Sequence, residues 1–133
     1  MFTTRICVEF GDTDPAGLVY YPNIFHYCHV AMERFFAERC GVPYSTMINE
    51  KRIGFPTVKS EAEFKVPIVY GDEIEITVDV VTVGTSSIRF RYSLRRVLDQ
   101  TLCAEVEQIH VAMDLTMRKS IPIPEYLSLI DPS

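Results

Sequence analysis

Between residues 10 and 23 the chain reads Phe10-Gly11-Asp12-Thr13-Asp14-Pro15-Ala16-Gly17-Leu18-Val19-Tyr20-Tyr21-Pro22-Asn23, a turn-forming stretch that carries two carboxylates into the start of an apolar helical pattern. The first amides of a helix have no intrahelical acceptor, and the aligned peptide dipoles make that end positive. It can therefore polarise a carbonyl oxygen or hold an anion. Pro22 has no N–H, which leaves the Tyr21 amide as the nearest donor. A carboxylate such as Asp14 beside that donor could act as base on water or attack an activated carbonyl itself. A carboxylate with a fixed oxyanion donor is a hydrolytic pair. The same residues could instead serve structure alone, because Asp, Pro, Gly and Asn are ordinary turn residues and Asp12 and Asp14 could make Asx turns and cap the helix.

The elements that must position this loop follow from periodicity. Apolar residues recur at three- and four-residue intervals from about Pro22 to Cys40, through Phe25, Cys28, Met32 and Phe36 and through Ile24, Ala31 and Phe35, which predicts one long, largely buried helix. Pro22 suits its first turn, and Gly41 and Pro43 end it. Period-two alternation predicts strands at Arg5–Phe10 (Ile6, Val8 and Phe10 inward), Val58–Val66 (Val58, Ala62, Phe64 and Val66 inward), and a hairpin of Ile74–Val80 with Ile88–Arg95 around Gly84-Thr85-Ser86. A fifth strand runs from about Thr101 to Asp114. Its apolar phase changes from Leu102, Ala104 and Val106 to Ile109, Val111 and Met113, which predicts a bulge near Glu107-Gln108. Gly41 to Pro56 reads as loop with slight helical character at Thr46 to Asn49, and Tyr126, Leu127 and Leu129 as one short closing helix.

A strand, a helix and four further antiparallel strands make an α+β domain in which a five-stranded antiparallel sheet wraps one long central helix, the hotdog arrangement. At 133 residues the chain has room for one such domain and no second. One helix cannot cover both faces of the sheet, so a homodimer is expected, with dimers able to pair into tetramers. A net charge of −5 argues against a nucleic-acid partner. No run reaches the roughly 18 apolar residues of a membrane span, and the first residues lack the apolar core of a signal peptide. The expected compartment is the cytoplasm. Cys7, Cys28, Cys40 and Cys103 form no C-x-x-C pair and read as small buried hydrophobes.

Other chemistry-bearing residues have plainer explanations. His26, His29 and Glu33 can share a helical face, but no third or fourth zinc ligand matches them, so no metal is expected. His110, between Ile109 and Val111, reads as an outward-facing polar position. Arg89, Arg91 and Arg95 share a strand face, and the hairpin sets Asp79 near Arg91 and Glu75 near Arg95 as cross-strand pairs. Neither a G-x-S-x-G elbow nor a phosphate-binding glycine loop occurs.

Phe10 to Asn23 resembles, nearly residue for residue, the F-G-D-x-D-P-A-G-x-V-aromatic-Y-P-N signature of the 4-hydroxybenzoyl-CoA thioesterase family, which has the hotdog fold. The likeness continues more loosely through the later strands to Met117-Arg118-Lys119-Ser120-Ile121-Pro122-Ile123-Pro124. The resemblance implies an acyl-CoA substrate, Asp14 as the catalytic carboxylate, and the Tyr21 amide as the donor to the thioester carbonyl. Gly17, Tyr20 and Pro22 complete the expected substrate-binding set around the loop. The family's nucleotide contacts cluster before the fourth strand, where Ser86 and Ser87 offer hydroxyl and backbone groups, and Arg118 and Lys119 are the candidates for coenzyme A phosphates. Tyr20 stands where the hydroxybenzoyl enzyme has Trp, and His29 where a family carboxylate aligns. The expected function is hydrolysis of an aromatic (hydroxybenzoyl-like) or short-chain acyl-CoA with no cofactor. The alternatives are a hotdog hydratase or dehydratase, and a non-catalytic module that binds acyl-CoA or acyl carrier protein.

Overall fold

Side chains alternate across a pleated strand, so a strand with one buried face alternates too. In the computed structural model, which describes residues 1–127 and 130, this rule is clearest in the two central strands. The strands in chain order are β1 (Phe2–Cys7), β2 (Ile53–Gly54), β3 (Thr57–Phe64), β4 (Glu73–Val83), β5 (Ser87–Arg96), β6 (Leu102–Val111), β7 (Met113–Asp114) and β8 (Lys119–Ser120). Ile74, Ile76, Val78 and Val80 of β4 and Ile88, Phe90, Tyr92 and Leu94 of β5 are all buried. The large sheet is antiparallel with order β1-β4-β5-β6-β3, and β2, β7 and β8 make a separate small sheet.

The long helix α1 spans Pro22–Arg39 and gives Ile24, Tyr27, Cys28, Ala31, Met32, Phe35 and Phe36 to the core. Beyond Cys40, Gly41 takes the left-handed φ of +70° that only glycine adopts without penalty, and the Val42 N–H closes back on the Phe36 carbonyl at 3.2 Å. The Phe36 ring then meets Phe55 at 5.2 Å and Phe90 at 6.3 Å, joining helix, loop and sheet in one aromatic cluster. The expected picture of one helix and one sheet is thus incomplete. The segment after Gly41 folds into a short helix α2 (Tyr44–Thr46) and a π turn at Met47–Lys51, and a short 3-10 turn covers Glu125–Leu127. Leu129, placed in that turn from sequence, lies outside the described residues.

Several sequence expectations are corrected. The first strand begins and ends earlier than Arg5–Phe10, and Phe10, 75% exposed, starts a 3-10 turn (Phe10–Asp12) because the Glu9–Asp12 hydrogen bonds coil the chain there. In β3, Val58 and Phe64 are 61% and 53% exposed, since β3 is an edge strand. The bulge on β6 lies at Cys103, where Leu94 pairs with Ala104 and Arg95 with Leu102, and pairing through Glu107-Gln108 is regular. Val106, Gln108 and His110 therefore all point inward, with Gln108 Nε2 donating to Ser60 Oγ at 3.2 Å. His110, expected outside, is 1% exposed. The hairpin register sets Glu75 opposite Arg95 and Asp79 opposite Arg91 as expected, but Arg91 turns the other way, toward Glu105 and Glu107, and Arg5 takes Glu75. Of the cysteines, Cys28 and Cys103 are buried, whereas Cys7 is exposed on β1.

Candidate active site

The loop between β1 and α1 is itself a small hairpin. The Asp14 N–H donates to the Leu18 carbonyl at 2.8 Å, Thr13 bridges Val19, and the Tyr20 N–H donates to the Asp12 carbonyl at 3.0 Å. Gly17 turns its tip at φ +80°, a left-handed conformation that strains any residue with a Cβ. One side of the hairpin lies along residues 68–70, through Val19 N–H to the Ile68 carbonyl (2.8 Å) and Tyr70 N–H to the Gly17 carbonyl (3.1 Å). Arg96 braces that wall, its guanidinium donating to the Pro67 carbonyl at 3.1 Å and to Asp72 at 3.4 Å.

Asp14 Oδ1 accepts from the Ala16 and Leu18 N–H groups at 2.9 and 3.3 Å. The Asx-turn role is therefore present, and it leaves Oδ2 without a donor among the described residues. Tyr21 is the cap of α1 and its carbonyl accepts from the Ile24 N–H at 3.1 Å. Its own N–H has no acceptor among the described residues, and Pro22 next to it has no N–H. No hydrogen bond joins Asp14 to the Tyr21 amide.

Beside Tyr21 opens a largely apolar cavity of about 340 Å³, lined by Leu18, Ile24, Phe64, Val66, Ile68 and Cys103 among others. Tyr20, Tyr21, Phe64 and Phe25 form a chain of ring contacts of 5.6 to 6.3 Å, of which Tyr21 and Phe64 line the cavity. Asp14, Gly17, Tyr20, Tyr21 and Pro22 thus belong to one loop-and-helix unit. Ser86, Ser87, Arg118 and Lys119 do not. The β4–β5 turn is tied to the β7–β8 region by Ala112 N–H to the Ser86 carbonyl and Ile123 N–H to the Thr85 carbonyl, each 2.8 Å. Arg118 and Lys119 sit on the exposed β7–β8 turn at that same end. Between the two ends lie the 11 residues of β4, which at roughly 3.3 Å per residue separate them by on the order of 30 Å.

Two groups were not foreseen as such, the first beside the loop and the second at the β4–β5 turn end. Asp12 receives the Tyr27 hydroxyl on Oδ2 at 2.8 Å, and its carbonyl receives Asn23 Nδ2 at 2.8 Å. Burial, together with the bonded Asp12 carboxylate, pushes the Tyr27 phenol well above its ordinary range, so it stays a donor. No local pattern announces this bond, because Tyr27 lies 15 residues from Asp12. His110 is the second. Its Nδ1 lies 3.0 Å from the Phe55 carbonyl and its Nε2 is buried without a partner among the described residues. The helix histidines go to different places. His29 pairs with Glu33 at 3.4 Å and packs its ring on Tyr44, while His26 lines a groove with Arg5, Arg34 and Glu9. Among the described residues no group of three or more His, Cys, Asp or Glu side chains is placed to hold a metal. No helix among them is long and apolar enough to cross a membrane.

Residues 8–128 match the model of the thioesterase-like superfamily. The 1,4-dihydroxy-2-naphthoyl-CoA hydrolase of Thermosynechococcus vestitus is 31% identical over 121 residues, covering 90% of this chain and 81% of that protein. Among solved structures, a gentisyl-coenzyme A thioesterase superposes with a TM-score of 0.87 at 28% identity, covering 96% of this chain and 99% of the other. A 4-hydroxybenzoyl-CoA thioesterase, solved as an Asp-to-Asn variant in complex with 4-hydroxybenzoyl-CoA, gives 0.85 at 28% identity with 96% of each chain covered. A family match that spans the loop before α1, the helix and every strand of the large sheet except the first agrees with the hotdog architecture, and the chain belongs to the thioesterase-like superfamily.

Proposed function

We propose that the chain is an acyl-CoA thioesterase that hydrolyses an aromatic acyl-CoA to the free acid and coenzyme A. The observation that carries this reading is an unengaged Tyr21 N–H at the start of α1, in the lining of an apolar cavity, together with an Asp14 carboxylate whose Oδ2 is unengaged among the described residues, on the hairpin whose Leu18 and Val19 line the same cavity. The thioester carbonyl oxygen accepts from the Tyr21 N–H, which stabilises the charge that develops as the carbon becomes tetrahedral. Asp14 takes a proton from water as it attacks, the C–S bond breaks, and the coenzyme A thiolate leaves and is protonated. Attack by Asp14 itself, through a mixed anhydride then hydrolysed by water, uses the same two groups. A thioester is already electrophilic and its thiolate leaves readily, so neither route requires a metal or organic cofactor.

The exposed rings of Tyr21 and Phe64 in the cavity lining, with Tyr20 against Tyr21, and the aromatic acyl groups in the names of the relatives support an aromatic rather than a short aliphatic acyl group. A homodimer supports the rest of the site. β3 is an edge strand that runs from Thr57, paired with His110 near the β4–β5 turn, to Phe64, against Tyr21. Antiparallel pairing of β3 with β3 of a second copy sets the Ser86, Ser87, Arg118 and Lys119 end of one copy beside the Asp14 end of the other, where coenzyme A phosphates would lie. The same reading keeps the chain in the cytoplasm.

The test is free-thiol release from a panel of aromatic and aliphatic acyl-CoA thioesters, with wild type and Asp14→Asn side by side. Turnover should fall at least about a hundredfold in the variant, as for loss of a positioned base, with the fold retained. Near-normal turnover in the variant would overturn the role of Asp14, and tight binding of acyl-CoA by a wild type that releases no thiol would favour the binding-module alternative.

A further inference from the structure

We infer that Tyr27 and Asn23, acting through Asp12, are positioning residues that set the Asp14 carboxylate against the Tyr21 N–H. The inference rests on the thioesterase reading above and adds residues to it. Among the described residues Asp14 and Tyr21 share no hydrogen-bond partner. Their relative placement depends on the hairpin that joins them, and that hairpin is closed at its open end by Tyr20 N–H to the Asp12 carbonyl. Asp12 is the point where the loop is fastened to the helix. Its carbonyl takes two donors, the Tyr20 N–H and Asn23 Nδ2, and its Oδ2 takes two more, the Tyr27 hydroxyl at 2.8 Å and the Glu9 N–H at 3.1 Å.

Asn23 and Tyr27 are four residues apart and share a face of α1, so two side chains from one rigid helix hold the residue that precedes the Asp14 turn. The Tyr27 ring is 4% exposed and embedded in the core. Its hydroxyl is therefore a strut of fixed length from the core to the loop, and the bond it gives to a carboxylate is of the stronger, charge-assisted kind. Removing only that oxygen leaves the ring's packing intact while freeing the hairpin to rotate against α1. The expected cost falls on the reacting geometry, where a displacement of about 1 Å can lower turnover by on the order of a hundredfold.

The experiment compares wild type, Tyr27→Phe, Asp12→Ala and Asp12→Asn in thiol release, with amide hydrogen exchange as a second measurement. Tyr27→Phe should lower kcat by about tenfold or more with KM within about twofold, and the Tyr20 amide should exchange at least about tenfold faster while the β4 and β5 amides keep their protection. Asp12→Asn, whose amide oxygen can still accept from Tyr27, should retain more kcat than Asp12→Ala. A merely structural Tyr27 would instead reduce the folded fraction and leave kcat per folded molecule unchanged. A Tyr27→Phe kcat within about twofold of wild type overturns the inference. Absence of thiol release by wild type overturns the thioesterase reading instead, and the exchange measurement then decides the clamp alone, with unchanged Tyr20 protection overturning it.

Discussion

Acidification should destabilise this protein through His110, and the size of the effect follows from its surroundings. The ring is 1% exposed, packs against Phe90 at 5.7 Å, and has Nδ1 3.0 Å from the Phe55 carbonyl, with no partner for Nε2 among the described residues. Protonation would place a second N–H, and a charge, where nothing can receive them. Burial pushes the group from its ordinary 6.5 down to about 4, with nearby His29 adding a smaller repulsion. Because the unfolded chain takes the proton more readily than the folded one, the neutral ring is tolerated at no cost above about pH 6.5. Stability is then lost as pH falls through the window from 6.5 to 4. At about 1.4 kcal/mol per unit of separation, the loss between pH 7 and pH 5 is roughly 2 kcal/mol, approaching about 3 kcal/mol below pH 4. Denaturant unfolding of wild type and His110→Met at a fixed protein concentration, at pH 7, 6 and 5, isolates this term. Glu107 and Asp99, whose carboxyls are held low by Arg89 and by Thr101 respectively, also lose stability in acid, but they do so in both proteins. The variant starts less stable, having lost the bond to Phe55, and should then lose about 2 kcal/mol less than wild type between pH 7 and pH 5. Equal losses in the two proteins would refute the reasoning.

Gly17→Ala meets no neighbouring atom but must hold φ +80°, so it should cost about 1 kcal/mol of stability and lower turnover by disturbing the hairpin tip. Thermal unfolding and thiol release read the two effects, and an unchanged melting temperature would count against a strained tip. Val58→Lys places a charge on the exposed edge of β3 and should raise the dissociation constant of the proposed β3–β3 dimer at least about tenfold, measured by sedimentation over a concentration series. An unchanged constant would move the interface away from β3.

Local patterns were sufficient where one physical demand governs a segment. The 3.6-residue stripe from Pro22, with Pro at its start and Gly41 at its end, determined α1 to within a residue. Strict alternation determined β4, β5 and their register, because a one-residue slip would turn every Ile, Val and Phe outward. The acid-, proline- and glycine-rich loop before Pro22 announced itself because few sequences combine a helix start with two carboxylates and a turn. What sequence could not decide is what each residue meets. His110 and Val58 have the wrong polarity for their places, because the β6 bulge at Cys103 and the edge position of β3 are set by neighbouring strands rather than by the residues themselves. Asp12 reads as a turn residue like Asp14, and only the tertiary packing of Tyr27, 15 residues later, makes it the anchor of the loop. The separation of Ser86, Ser87, Arg118 and Lys119 from Asp14 was likewise invisible along the chain. It follows from the length of β4, a distance that exists only once the strands are laid side by side.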